Sequence, residues 1–330
     1  MESETLSVLA SRTSSTRTYR MQRRFAVLTL LGAWLIAAGA LSAGDSPKSG
    51  STGFVWKDGD KVALIGGTVI EREQNYGQWE AALTRNIPAK NVIFRNLGWS
   101  GDTVWAESRG IFEPAERGYA LLIDLVKEQK PSVLVFGYGQ VEAIEGPARL
   151  PKFIEQYERM INDCKAGSAE GVRVILLGPM DLLQMPAPLP SVAGYNALIA
   201  TYRQAIQEFA ARIGATYVPL SMPTAGSAKE LRLLTDNGQH LSSEGYARTA
   251  SQLVSALTPG MAKELKTGDT ESLLQLIRKK NELFFHRYRP QNVTYLFLFR
   301  KHEQGNNAVD IPKFDPLVKG LEEQIHAAVD

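Results

Sequence analysis

Four short segments hold the side chains with which this chain could do chemistry. They read Gly66-Gly67-Thr68-Val69-Ile70-Glu71-Arg72, Asn96-Leu97-Gly98-Trp99-Ser100-Gly101-Asp102-Thr103, Gly137-Tyr138-Gly139-Gln140-Val141-Glu142 and Leu234-Thr235-Asp236-Asn237-Gly238-Gln239-His240-Leu241. A hydroxyl and an imidazole are the materials of nucleophilic and general-base chemistry, and glycines let backbone N–H groups approach a ligand closely. His240 is the only histidine between residue 61 and the tail. The plain alternatives are that Thr68 caps the turn after it and that His240 is a surface loop residue. The other histidines, at 286, 302 and 326, are scattered, and there is no HExxH or Walker pattern. Neither a metal nor a cofactor is expected.

The elements that must position these segments follow from periodicity. Apolar, β-rich runs at Lys61 to Ile65, Asn91 to Arg95, Ser132 to Phe136, Val172 to Leu177 and Thr216 to Leu220 are too apolar for one-sided antiparallel strands. Between them lie amphipathic stretches at Gln74 to Arg85, Gly118 to Lys130, Leu150 to Lys165 and Ala193 to Ile213, and Ser243 to Leu257 follows the last strand, with Ser242 or Ser243 as its cap. Alternation of this kind makes an α/β protein with five parallel strands in a three-layer α/β/α arrangement. In such a sheet ligands bind outside the carboxyl ends of the strands, where the four segments fall.

In this order and at these strand ends, the segments resemble the signature blocks of the SGNH (GDSL-like) hydrolases, esterases that use a Ser-His-Asp constellation. Gly66 to Val69 falls on the GDSL block, and Asn96-Leu97-Gly98 on the block whose glycine supplies a backbone oxyanion donor. Gly139 to Glu142 falls on the GxND-type block and Asn237-Gly238-Gln239-His240 on the DxxH block. The resemblance spans about residues 61–257 and implies a flavodoxin-like five-stranded sheet. The stretch from Asn281 to Pro316 is similar to the C-terminal extension of a group of secreted bacterial SGNH-like proteins.

The resemblance places Thr68 at the nucleophile position and His240 at the base, with Asn237, preceded by Asp236, where the orienting acid belongs. Gly67, Gly98, Asn96, Val141 and Glu142 fall around the oxyanion and substrate. Several of these depart from the family pattern. Threonine carries a methyl that restricts χ1 and crowds attack. An amide at Asn237 can hold the imidazole in the wrong tautomer, and the corresponding change in a serine protease costs about 10⁴ in rate. Val141 has no donor where the family has Asn, and losing one such donor costs about 10² to 10³. Gln140 and Glu142 are the neighbours that could substitute or bind something else. Two functions stay open. One is an ester hydrolase acting on an acyl or acetyl ester, small or glycan-linked. The other is a catalytically degenerate protein that binds a glycan or partner in the same cleft, with Trp99, Trp105 and Tyr138 as stacking surfaces.

The N-terminus reads as an export signal. Arg23 and Arg24 precede an uncharged apolar run that ends in small residues near Ala38-Gly39-Ala40, with Met21 as an alternative start. The competing reading is an uncleaved anchor over residues 25–43, since the run approaches the roughly 20 residues that span a bilayer. The expected organisation is a leader over 1–43, a linker over 44–55, the hydrolase-like domain over 56–262 and an extension over 263–330. A net charge of +2 without long basic runs gives no support to nucleic-acid binding. Cys164 is the only cysteine, so no internal disulfide forms. In the extension, a helix over Glu271 to Phe285 is expected, with Phe284, Phe285, Tyr295, Phe297 and Phe299 packing against the domain.

Overall fold

The apolar runs pair into a single parallel sheet. The computed structural model describes residues 53–260 and 267–329, so the leader, its cleavage site and the anchor alternative lie outside the described residues. Strands β1 (Lys61–Gly66), β2 (Ile93–Asn96), β3 (Val133–Gly137), β4 (Arg173–Leu177) and β5 (Thr216–Val218) lie in the order β2-β1-β3-β4-β5. Every pairing is parallel. The two-residue period of a strand sends Ala63, Ile65, Leu134 and Phe136 to one core and Val62, Leu64, Val133 and Val135 to the other.

Helices cover both faces. In chain order they are α1 (Thr68–Glu73), α2 (Gln78–Asn86), α3 (Ala115–Gln129), α4 (Leu150–Gly167), α5 (Ala193–Ile213), α6 (Ala228–Leu234) and α7 (Ser243–Leu257). Helices α3, α4 and α5 bury Leu122, Phe153, Tyr157, Ile199 and Tyr202 on one side; α2 and α7 bury Trp79, Leu83, Tyr246 and Leu253 on the other. Ser242 is the cap of α7, its Oγ accepting from Gly245 N at 3.2 Å. Cys164 is buried, which pushes its thiol up to about 12.

The expected helix Gln74 to Arg85 begins only at Gln78, after a turn that separates it from α1. Gly77 has φ +68, and a Cβ there would meet Ile277 at 2.8 Å, so both backbone and packing demand glycine at the break. The Glu73 carboxylate then starts α2 by accepting from Trp79 N at 2.7 Å and Glu80 N at 3.2 Å. Residue Asn91, with φ +57, stands before β2 rather than in it.

The extension forms α8 (Thr267–Tyr288), the short α9 (Val293–Leu296) and α10 (Lys301–Gln304), a 3₁₀ stretch (Gly305–Lys313) and α11 (Phe314–Ala327). Leu273, Leu274, Ile277 and Ile325 pack together with Ala81. Together α8 and α11 cover the edge strand β2, an otherwise open template for pairing. Lys280 Nζ donates to Glu80 at 2.8 Å and to Phe94 O at 3.2 Å, His326 Nε2 meets Val92 O at 3.0 Å, and Arg95 pairs with Glu322. Phe284 is buried and Phe285 half-buried, but Phe297 and Phe299 stand 48% and 68% exposed, contrary to expectation. Leu296 takes the inward position of that turn instead. Among the described residues no helix is long and apolar enough to cross a membrane.

Candidate active site

The site is built where β1 and β3 end side by side and the connections diverge. Gly66 pairs with Gly137, and a Cβ on Gly66 would lie 2.6 Å from Gly137 O. That close approach lets α1 begin at once. Gly67 is its N-cap, with Gly67 O accepting from Ile70 N at 3.0 Å and Glu71 N at 3.1 Å.

Thr68 is the first residue of α1. Its hydroxyl makes no capping bond; Oγ1 accepts the Gly101 N–H at 3.0 Å. Gly98 is committed elsewhere. Its N–H donates to Asn96 Oδ1 at 2.9 Å, and a Cβ there would meet Glu71 N at 2.4 Å, so this glycine exists to let the loop lie on α1. Asn96 also donates from Nδ2 to Ile70 O at 2.6 Å, latching the end of β2 to α1. The backbone donor aimed at the Thr68 hydroxyl is therefore Gly101, whose φ of +70 is a conformation suited to glycine.

His240 is half-buried in the loop before α7. Asn237 Oδ1 accepts from Gln239 N at 3.0 Å and His240 N at 2.8 Å, which turns Nδ2 toward His240 Nδ1 at 3.4 Å. Two backbone donors fix which end of the amide is oxygen, so the group facing the ring is a donor. The arrangement favours the tautomer with its proton on Nε2. Asp236 does not bond the ring; it pairs with Arg72 of α1. Burial lowers the His240 pKa below its ordinary value, Arg72 adds to this, and Asp236 opposes it.

Other groups near these loops are structural. Glu142 is buried, accepting from Val104 N at 3.0 Å and Gly139 N at 2.8 Å, and burial pushes its carboxyl up to about 7. It staples two loops, with one oxygen engaged by each. Gln140 donates from Nε2 to Met180 O at 2.9 Å and accepts from Gln239 Nε2 at 3.3 Å. Val141 is half-buried and contributes no side-chain donor. Trp99 and Tyr138 are 4% and 3% exposed, so neither is a stacking platform; Trp105 is half-buried beneath Arg149. Tyr138 Oη donates to Asp102 at 2.8 Å, and Arg109 Nε meets the same carboxylate at 2.8 Å.

The four loops converge through identifiable contacts. Thr68 meets Gly101, Gln140 meets Gln239, Arg72 meets Asp236, and Tyr246 Oη donates to Val69 O at 2.6 Å. No hydrogen bond joins Thr68 to His240 among the described residues. A cleft of about 560 Å³ opens beside Glu71, Arg72, Ser100 and Phe285, and another of about 700 Å³ beside Leu183, Met185 and Met222. Neither Thr68 nor His240 lines either cleft, and both are half-buried.

Residues 56–248 match the model of the GDSL-like Lipase/Acylhydrolase family. The chain belongs to this family. No protein of curated function matches the sequence. Among solved structures it is similar to a gut microbial diltiazem-metabolizing enzyme, at 10% identity and TM-score 0.58 over 84% of this chain and 96% of that one. It is also similar to an acetylxylan esterase from Geobacillus stearothermophilus, as a catalytic mutant (14% identity, TM-score 0.44, 64% of this chain and 99% of that one). A lipase/acylhydrolase from Enterococcus faecalis is similar too (21% identity, TM-score 0.44, 63% and 100%). The first likeness carries the three-layer α/β/α fold across most of the chain.

Within the GDSL-like framework, sequence reasoning missed Gly101, Arg72 and Glu71. Gly101 stood in the quoted segment, and a glycine beside Asp in a polar loop was the one available signal. Glu71 and Arg72 had no signal, because their partners lie far along the chain.

Proposed function

We propose that this protein is an exported ester hydrolase that uses Thr68 as nucleophile and His240 as base, at a rate held down by Asn237. The observation that carries the reading is the 3.0 Å contact of the Gly101 N–H with Thr68 Oγ1 at the end of β1. When Oγ1 attacks an acyl carbon, the carbonyl oxygen develops charge within reach of that N–H and of the N–H of Thr68, which opens α1. The hydroxyl proton passes to His240 and then to the leaving alkoxide; water cleaves the acyl-enzyme by the same route. The polar side chains of these loops, Ser100, Asn237 and Gln239 among them, suit a short acyl or acetyl ester on a polar, carbohydrate-like alcohol better than a long lipid chain.

One observation favours the binding alternative. The donor of Asn237 Nδ2 toward Nδ1 keeps the proton on Nε2, where the base needs a lone pair. A fluorophosphonate probe separates the two readings. It should label Thr68→Ser at the introduced hydroxyl, and labelling should disappear when His240→Ala is added. Absence of labelling in a variant with native melting would remove the hydrolase reading.

A further inference from the structure

The loop that carries Gly101 is held residue by residue, and the holding groups come from distant parts of the chain. Arg109 Nη2 donates to Leu97 O at 2.9 Å, and Tyr288 Oη donates to Gly98 O at 3.2 Å. The Trp99 ring lies against two guanidinium groups, with Arg289 Cζ 3.5 Å and Arg109 Cζ 5.5 Å from its centroid. Ser100 donates to the Glu71 carboxylate, and Arg289 Nη1 bonds the other oxygen of Glu71 at 2.5 Å. Glu71 stands three residues after Thr68 on α1. Arg289 thus spans both halves of the arrangement, the helix that carries the hydroxyl and the loop that carries the donor.

We infer that Arg289 of the C-terminal extension is a positioning residue, which sets the Gly101 N–H against the Thr68 hydroxyl by clamping Trp99 to Glu71. Its planar cation stacks on the indole face while its edge bonds the carboxylate, a combination that lysine cannot reproduce. Apart from the bond of its N–H to Thr68, Gly101 has no packing of its own to hold it, since no atom lies within 4 Å of the place its Cβ would occupy. The direction of its N–H is set through its chain neighbours, Trp99 and Ser100 before it and the buried Asp102 after it, whose N–H donates to Trp99 O at 3.0 Å. The extension is thereby part of the active site without touching substrate, and the inference rests on the hydrolase reading above for its kinetic consequence.

The test uses the full chain and two readouts. Arg289→Ala should lower kcat about tenfold to a hundredfold, short of losing an oxyanion donor outright, with KM within about twofold. Arg289→Lys should fall between, keeping the charge on Glu71 and losing the stack. Amide exchange of the peptide spanning residues 97–102 should speed up in Arg289→Ala. As a control, Ile325→Ala weakens the extension's packing far from the loop, and should lower the melting temperature while leaving kcat and the exchange of 97–102 unchanged. If Arg289→Ala leaves the exchange of that peptide unchanged, the clamp is overturned. If no variant and no native protein turns over an ester, the hydrolase reading fails separately, and exchange alone then decides the clamp.

Discussion

Asn237 holds His240 through an amide whose orientation the backbone fixes. Its oxygen is taken by Gln239 N and His240 N, and its NH₂ is what remains for the ring. The position was legible in the sequence, three residues before the histidine. The direction of the amide was not, because it follows from the turn those two N–H groups make. The same holds for Gly98 and Gly101, which look equivalent in Asn96-Leu97-Gly98-Trp99-Ser100-Gly101 until the fold puts one against the backbone of α1 and the other against the hydroxyl. Arg72 supplies the residue-scale prediction. In the proposed mechanism His240 is the base and must be neutral, so kcat/KM should rise with pH through its pKa, and burial with Arg72 places that midpoint below the ordinary 6.5. Replacing Arg72 by Gln removes one depressing charge and frees Asp236, which pulls the pKa up. The acid limb of the profile should move to higher pH; an unmoved or lowered midpoint would show that Arg72 does not act on His240.

Helices α1 and α2 are short and depend on what is attached to their ends. The turn before α2 was not legible in the sequence, where the apolar spacing suggested a helix from Gln74, and packing against Ile277 shows why glycine stands at 77. Glu73 replaces the missing side-chain cap of α2, and in doing so buries a carboxyl whose pKa is raised to about 8, chiefly by burial. Its Oε1 accepts both N–H groups, while Oε2 is buried without a partner. The folded state therefore binds this proton more tightly than the unfolded chain. Stability from this group is greatest below the ordinary carboxyl range and falls as pH rises toward about 8. Glu73→Gln keeps an oxygen for both N–H groups and puts a neutral amide where the protonated acid was. It should flatten the decline of melting temperature between about pH 5 and pH 8 and raise stability at the upper end. An equally steep decline in the variant would contradict this assignment.

The whole molecule joins a sheet that the sequence displays to an extension whose docking it does not. The five strands and most of the covering helices were readable from hydrophobic runs, since local periodicity encodes them, whereas the ends of β2 and β5 and the start of α2 were not. The docking was not, since Lys280 finds Glu80 across 200 residues and Arg289 finds Glu71 across 218. Lys280 and Glu80 are 1% and 7% exposed as side chains, and Lys280→Ala would leave a buried carboxylate alone. Chemical denaturation should register a loss of about 3 kcal/mol, much of it recovered by adding Glu80→Leu to the same chain. A loss under about 1 kcal/mol would mean that the pair does little to hold the extension on the edge of the sheet. Under the proposed mechanism, turnover depends on which group Asn237 turns toward His240. Asn237→Asp retains an oxygen for the two backbone N–H groups and turns an acceptor toward Nδ1, so the imidazole carries its proton there and presents a lone pair at Nε2. The decisive measurement is hydrolysis of a short p-nitrophenyl ester by the native chain, Asn237→Asp, and Asn237→Asp with His240→Ala. We expect slow turnover by the native protein, a gain of at least about tenfold in Asn237→Asp, and loss of that gain without His240. No turnover in any of the three, with native melting throughout, would contradict the claim that this site cleaves esters.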